Sequence, residues 1–237
     1  MEIYQSGEFA IELKTGEFPI TKADKAAHAI VTDHLGATKL PILSEEGADI
    51  GFNERKNWEY FWLIDPLDGT KEFIHKNGEF TVNIALVYKK LPVAGVIYAP
   101  STDALYIGSK ETGVYKIEKG IRIDYPPLTI RNQFRDLLQK KHLTIVASRS
   151  HISLKTRCFI EQFQNPTLTL LGSSLKFMRL LEKQADIYPR LEPTMEWDTA
   201  AAHAILNATN RGIYLEDMSS ELTYNKPDLK NPPFISF

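Results

Sequence analysis

The sequence predicts a mixed α/β (α+β) protein, and three observations carry that prediction. Two β-rich runs, Thr81–Tyr88 and residues 93–98, are separated only by Lys89-Lys90-Leu91-Pro92 and read as a hairpin. Beyond Pro126-Pro127 the pattern changes to strands alternating with helices. With 43% hydrophobic and 24% charged residues over 237 positions, the chain can bury a substantial core. Two tightly joined subdomains are expected, residues 1–124 and 125–237, the first an antiparallel sheet with helical cover.

In chain order, residues 1–18 are weakly periodic and look like the end of an element. Thr21-Lys22-Ala23-Asp24 opens a helix in capping-box style, with Ala23, Ala26, Ala27, Ile30 and Val31 as its apolar stripe and an end near Gly36. An aspartate in a first turn answers the helix dipole whether or not it has another role. Residues 41–47 form a short apolar run ending in Glu45-Glu46-Gly47, and residues 51–57 read as a solvated loop. A buried strand over 60–64 stops at Asp65-Pro66, where proline removes a backbone donor. Further strands are expected at 104–107 and 113–117.

The second half alternates more regularly. A strand at 143–147 runs into Ser148-Arg149-Ser150-His151 before a helix over 154–163. The strand Thr167–Leu171 runs into Gly172-Ser173-Ser174-Leu175-Lys176 before another helix. Such strand-to-helix turns suit anions, because helix N-termini offer free backbone donors. Taken singly, Ser173 is explained by an N-cap and Lys176 by a solvated first turn. Residues 185–188 form a strand leading to Pro189-Arg190, and a small-residue helix over 196–206 carries Asp198 in its first turn. Closing strands are expected at 212–215 and 231–237.

Composition excludes several classes. A net charge of -2 gives no basic surplus for nucleic-acid polymers or membranes, so a small ligand is expected. The single cysteine, Cys158, cannot form an internal disulfide, and the start Met1-Glu2-Ile3-Tyr4-Gln5 is unlike a signal peptide. Both point to the cytosol. No apolar run approaches the ~20 residues of a membrane span.

The chemistry concentrates in Asp65-Pro66-Leu67-Asp68-Gly69-Thr70. Two carboxylates about 4 Å apart, at an effective dielectric near 20, repel by roughly 4 kcal/mol, so the pair calls for a shared proton or a cation, and the cation is preferred. Ordinary turn chemistry, with aspartates bonding their own backbone, stays open from these residues alone. Phosphatases with an aspartate nucleophile carry Asp-x-Asp-Gly-Thr after a first strand. Here the aspartates are one residue further apart and well inside the chain, which favours water as nucleophile.

The order of Leu43-Ser44-Glu45-Glu46, Asp65-Pro66-Leu67-Asp68-Gly69-Thr70 and Trp197-Asp198-Thr199-Ala200-Ala201 resembles the lithium-sensitive, Mg2+-dependent phosphatases of the inositol monophosphatase superfamily, over nearly the whole chain. Lys71-Glu72, residues 77–85, Ser148-Arg149-Ser150-His151 and residues 172–177 most resemble its CysQ-type 3'(2'),5'-bisphosphate nucleotidases. The resemblance implies a layered α-β-α-β-α sandwich and removal of the 3'-phosphate from adenosine 3',5'-bisphosphate, with the sulfated analogue as a further substrate. It also implies metal ligation by Glu45, Asp65, the Leu67 carbonyl, Asp68 and Asp198. Asp24, Thr70 and Glu45 are implied as catalytic groups, the first two orienting and deprotonating the attacking water. Substrate contacts are implied at Gly69, Thr70, Ser148, Arg149, His151, Ser173, Lys176, Arg190 and Asp198. Two or three Mg2+ are expected as cofactors and Li+ as inhibitor; about four negative charges match two such ions.

The resemblance leans towards a cytoplasmic monomer and allows peripheral attachment to the inner membrane. Against the family pattern, a helix ahead of Met1 to Tyr4 is missing, and Ala202 stands where glycine is usual, at an expected close helix contact. The alternatives are an inositol-phosphate or sugar-phosphate phosphatase, or a weakly catalytic metal- and nucleotide-binding module.

Overall fold

The computed structural model describes residues 1–13, 19–131, 133–150 and 152–237. Its centre is a seven-stranded sheet whose spatial order follows the chain: Ile42–Ser44, Tyr60–Asp68, Thr81–Tyr88, Leu91–Ala99, Ala104–Ser109, Gly113–Glu118 and Ile121–Asp124. The sheet is mixed rather than antiparallel throughout, because Ile42–Ser44 pairs parallel to Tyr60–Asp68. The expected hairpin forms with a tighter turn. Leu91 and Pro92 already belong to the second strand, and Lys89 and Lys90 alone make the turn, both at positive φ, 43° and 69°.

The helix Lys22–Gly36 starts with the expected capping box between Thr21 and Asp24. Its apolar stripe is only partly inward: Ala23 packs against Leu67, Phe73 and Phe80 and Ala27 and Val31 are half-buried, but Asp24 is its buried residue and Ile30 is 61% exposed. The loop expected at 51–57 instead holds the short helix Phe52–Arg55. It forms because Arg55 is buried, donating to the Asn225 side chain at 2.8 Å and to the Lys226 and Pro227 carbonyls at 2.7 and 3.0 Å. The strand expected to stop at Asp65-Pro66 continues to Asp68 with a register irregularity between the two aspartates. Proline is tolerated there because the parallel neighbour pairs only as far as Ile64, leaving the Pro66 side of the strand without a ladder partner.

Beyond residue 124, Thr144–Ser148 and Thr167–Leu171 pair in parallel, and Tyr188–Arg190, Phe234–Ser236 and Ile213–Leu215 form a small antiparallel sheet. The helix expected from residue 196 is split into a 3-10 turn, Glu196–Asp198, and the α-helix Ala200–Asn207. That helix lies across the central strands through very close backbone contact, since a Cβ built on Gly95 would stand 2.1 Å from the Ala201 carbonyl oxygen. Ala202, the next residue, is buried in the core.

One apolar cluster runs from Leu43 and Phe61 through Phe177 and Ile205 to Phe234, so the two halves share a core. A smaller cluster of Leu67, Phe73 and Phe80, with Ile3, Tyr4 and Phe9 against it, underlies the Asp65–Thr70 segment. No helix among the described residues is long and apolar enough to cross a membrane.

Candidate functional site

The segment ending Tyr60–Asp68 and opening the helix Thr70–Ile74 turns at Gly69, with φ 93°. No side chain fits there without strain, and a Cβ would meet the Glu79 carbonyl oxygen at 2.9 Å. A Cβ there would also stand 3.3 Å from Ser173 Cβ, so this turn packs on the turn Gly172-Ser173-Ser174, and Gly69 and Ser173 together line a cavity of about 190 Å³. Since a water occupies roughly 30 Å³, the space admits several small groups together. Glu45, Asp68, Gly69, Thr70, Ser148, Ser173, Lys176, Arg190 and Asp198, all singled out from sequence, line it. Asp24, Asp65 and Leu67 lie buried outside that lining, and Arg149 is also outside it. His151 lies outside the described residues.

Burial, and then the charges of Glu45, Asp68 and Asp198, push the Asp65 carboxyl well above the usual carboxylate range. Burial, Asp68 and Glu45 do the same to Asp198. The four carboxylates therefore feel one another. Each aspartate has one oxygen anchored by the protein: Asp65 Oδ1 accepts from the Leu67 N–H at 3.0 Å, Asp198 Oδ2 from the Met195 N–H at 2.8 Å. Asp68 Oδ2 accepts from Ser174 Oγ at 2.8 Å and Asn83 Nδ2 at 3.2 Å. The second oxygen of each has no protein donor among the described residues. Hard oxygen donors with spare lone pairs and excess negative charge fit Mg2+. Among the described residues, no three acidic, histidine or cysteine side chains already form a metal-ligand group. The carboxylates share a site, not a closed coordination shell.

Asp24 is held on one side and reaches out on the other. Its Oδ2 accepts from the Thr21 N–H at 2.7 Å and the Thr21 hydroxyl at 2.6 Å. Thr70 Oγ1 stands 3.3 Å from both Asp24 Oδ1 and the Leu67 carbonyl oxygen, so its single proton can serve one of them at a time. Thr70 is the link between buried Asp24 and the cavity.

The cationic groups differ in how far they are satisfied. Lys176 is buried, donates to the Ser173 carbonyl at 2.6 Å and lies 5.4 Å from the Tyr188 ring centroid. Burial lowers its pKa to about 8 despite the opposing pull of Asp68. The Arg190 side chain is 11% exposed, and its buried Nε has no partner among the described residues. Arg149 is turned away and committed: it donates to both Glu79 oxygens, at 2.9 and 2.5 Å, and to the Leu170 carbonyl. Glu79 also accepts from the Gly172 N–H at 2.7 Å, which ties the loop before Thr81 to the Gly172 turn.

Sequence reasoning missed Lys71, Glu72, Tyr188, Thr194 and Phe234 as lining groups, and Asn83 as an anchor of Asp68. One signal was present for the last. The buried face of Thr81–Tyr88 reads Thr81, Asn83, Ala85, Val87, with polar residues where the alternation demands apolar ones.

Comparisons with known proteins extend this geometry. The model of the inositol monophosphatase family matches residues 1–230. The 3'(2'),5'-bisphosphate nucleotidase CysQ of Escherichia coli strain K12 is 39% identical over 239 residues, covering 99% of this chain and 92% of that protein. The crystal structure of CysQ from Bacteroides thetaiotaomicron superposes with a TM-score of 0.78 at 41% identity, covering 90% of this chain and 82% of that one. An inositol monophosphatase/NADP phosphatase structure with Mg2+ and phosphate shares the fold, with a TM-score of 0.75 at 20% identity over 99% of this chain and 85% of that one.

Proposed function

Because the chain belongs to the inositol monophosphatase family, we propose that it is a metal-dependent 3'(2'),5'-bisphosphate nucleotidase, hydrolysing adenosine 3',5'-bisphosphate to AMP and phosphate. The single observation that carries this reading is 39% identity along 99% of the chain to a nucleotidase of that name. The gathered carboxylates facing Lys176 and Arg190 support it. The sulfated analogue is a second expected substrate.

In this reading Glu45, Asp65, the Leu67 carbonyl, Asp68 and Asp198 hold two or three Mg2+. Such ions would polarise the phosphoryl group and neutralise charge as the bond to the leaving oxygen breaks. Water attacks phosphorus and the P–O3' bond breaks, giving phosphate and, once the 3'-oxygen takes a proton from solvent, AMP. Thr70 orients that water and passes its proton towards Asp24, whose other oxygen is fixed by Thr21. Gly69, Ser148, Ser173 and Asp198 surround the nucleotide, with Arg149 acting through the loop that it ties down. Lys176 and Arg190 receive the second phosphate, and the unpartnered Arg190 Nε favours that role. The protein is taken to work as a cytoplasmic monomer with the division at 124/125, and peripheral attachment to a membrane finds no support.

The second reading, an inositol-phosphate phosphatase, is favoured by the family model and the shared fold. Phosphate release from adenosine 3',5'-bisphosphate and inositol 1-phosphate, side by side in Mg2+ with and without Li+, separates the two. Preference for the nucleotide with loss of activity in Li+ is expected. Preference for inositol 1-phosphate would keep the metal site and overturn the roles of Lys176 and Arg190.

A further inference from the structure

Two serines open the two helices that follow the parallel strand pair, and they behave differently. Ser153 caps its own helix, accepting from the Thr156 N–H at 3.2 Å. Ser174 is the N-cap of Leu175–Leu181 but its side chain makes no cap bond. A serine cap is worth about 1 kcal/mol to a helix, so a hydroxyl turned elsewhere calls for another use. Ser174 Oγ donates to Asp68 Oδ2 at 2.8 Å and stands 3.0 Å from the Asp198 backbone carbonyl. It accepts from Asn83 Nδ2 at 2.9 Å, and Asn83 is itself oriented by the Thr81 hydroxyl at 3.0 Å. Ser174, Asn83 and Thr81 are all at most 1% exposed, so water does not substitute for these bonds.

We infer that Ser174, oriented by Asn83, is a positioning residue that fixes the Asp68 carboxylate beside the Asp198 turn and thereby sets the affinity of the carboxylate site for a divalent cation. The inference rests on the reading that Asp68 and Asp198 hold metal. The network fully occupies one oxygen of Asp68 and aims the other away from the protein donors. It also links three chain segments, the end of Tyr60–Asp68, the strand Thr81–Tyr88 and the Gly172 turn, with the Asp198 carbonyl 3.0 Å from Ser174 Oγ. A single proton on Ser174 prefers the charged Asp68 acceptor over the neutral carbonyl.

The test is calorimetric titration of MgCl2 into metal-free protein, beside the melting temperature without metal. Removing partners of metal ligands commonly weakens affinity 10–100-fold. Ser174→Ala is expected to weaken Mg2+ affinity by about tenfold or more, in addition to the lowering of metal-free melting that follows from the lost buried hydrogen bonds. Asn83→Ala, which removes the amide from the same network, is expected to shift affinity in the same direction. Lowered melting with unchanged Mg2+ affinity in both variants would overturn the inference and leave Ser174 a packing residue. Wild-type protein that binds no Mg2+ would instead overturn the metal reading, and the inference with it.

Discussion

The carboxylate and cationic sides of the cavity are assembled in different ways. On the first, Glu45, Asp68 and Asp198 face the cavity with Asp65 behind them, and burial with like charge drives the pKa of Asp65 and Asp198 upward. On the second, each cation has a different degree of satisfaction. Arg149 is neutralised by Glu79, Lys176 leans on a carbonyl with its pKa lowered to about 8, and Arg190 keeps a buried Nε without a partner. The carboxylate side carries an excess of negative charge, and on the cationic side Arg190 Nε has no partner among the described residues while Lys176 bonds only a neutral carbonyl. In the proposed reading, a metal ion with a phosphorylated ligand completes both at once.

The comparison breaks most visibly at Asp65. Asp65→Asn is expected to cut Mg2+-dependent phosphate release by more than about 100-fold, beyond the range for outer partners of metal ligands, with the fold retained by circular dichroism. Next comes Arg190→Gln. Losing a charge-assisted bond of about 1.5–3 kcal/mol should raise KM for adenosine 3',5'-bisphosphate roughly ten- to a hundredfold. Adenosine 3'-monophosphate, which lacks the second phosphate, should be affected much less, and steady-state kinetics on both substrates reads the difference.

Lys176 sharpens the comparison through pH. Its folded pKa is lowered from 10.5 to about 8, so the amine is charged below that value and neutral above it. KM for the bisphosphate is therefore expected to rise as pH passes upward through about 8, and Lys176→Arg, charged throughout, should flatten that limb. The smallest effect belongs to Arg149→Ala. With the arginine side chain 46% exposed, its pair with Glu79 is worth at most about 1 kcal/mol, read as a small drop in melting temperature.

The sequence made local chemistry legible and left convergence obscure. The Asp65-to-Thr70 cluster stands out because its residues are adjacent, and the Thr21–Asp24 capping box is written within four residues. Bringing Glu45 and Asp198 to the same place depends on strand pairing over long separations, which only family resemblance supplied. Arg55 looks like part of a solvated loop in the sequence because its partners, at 225–227, lie some 170 residues away. The strand Ile121–Asp124 alternates isoleucine with charged residues but runs for only four positions, all exposed at a sheet edge, too short a signal to separate from the loop that follows. Ser174 escapes the sequence for a different reason: the sequence assigns the N-cap to Ser173, whereas in the structure Ser174 holds that position with its hydroxyl turned to Asp68.

The claim that the carboxylates await a cation is tested most directly by melting wild-type and Asp198→Asn protein, each metal-free and with Mg2+. Mg2+ is expected to raise the wild-type melting temperature. The metal-free variant, relieved of one buried like charge, is expected to melt above metal-free wild type and to respond little to Mg2+. A wild type indifferent to Mg2+, or a variant stabilised by it as strongly as wild type, would contradict the account.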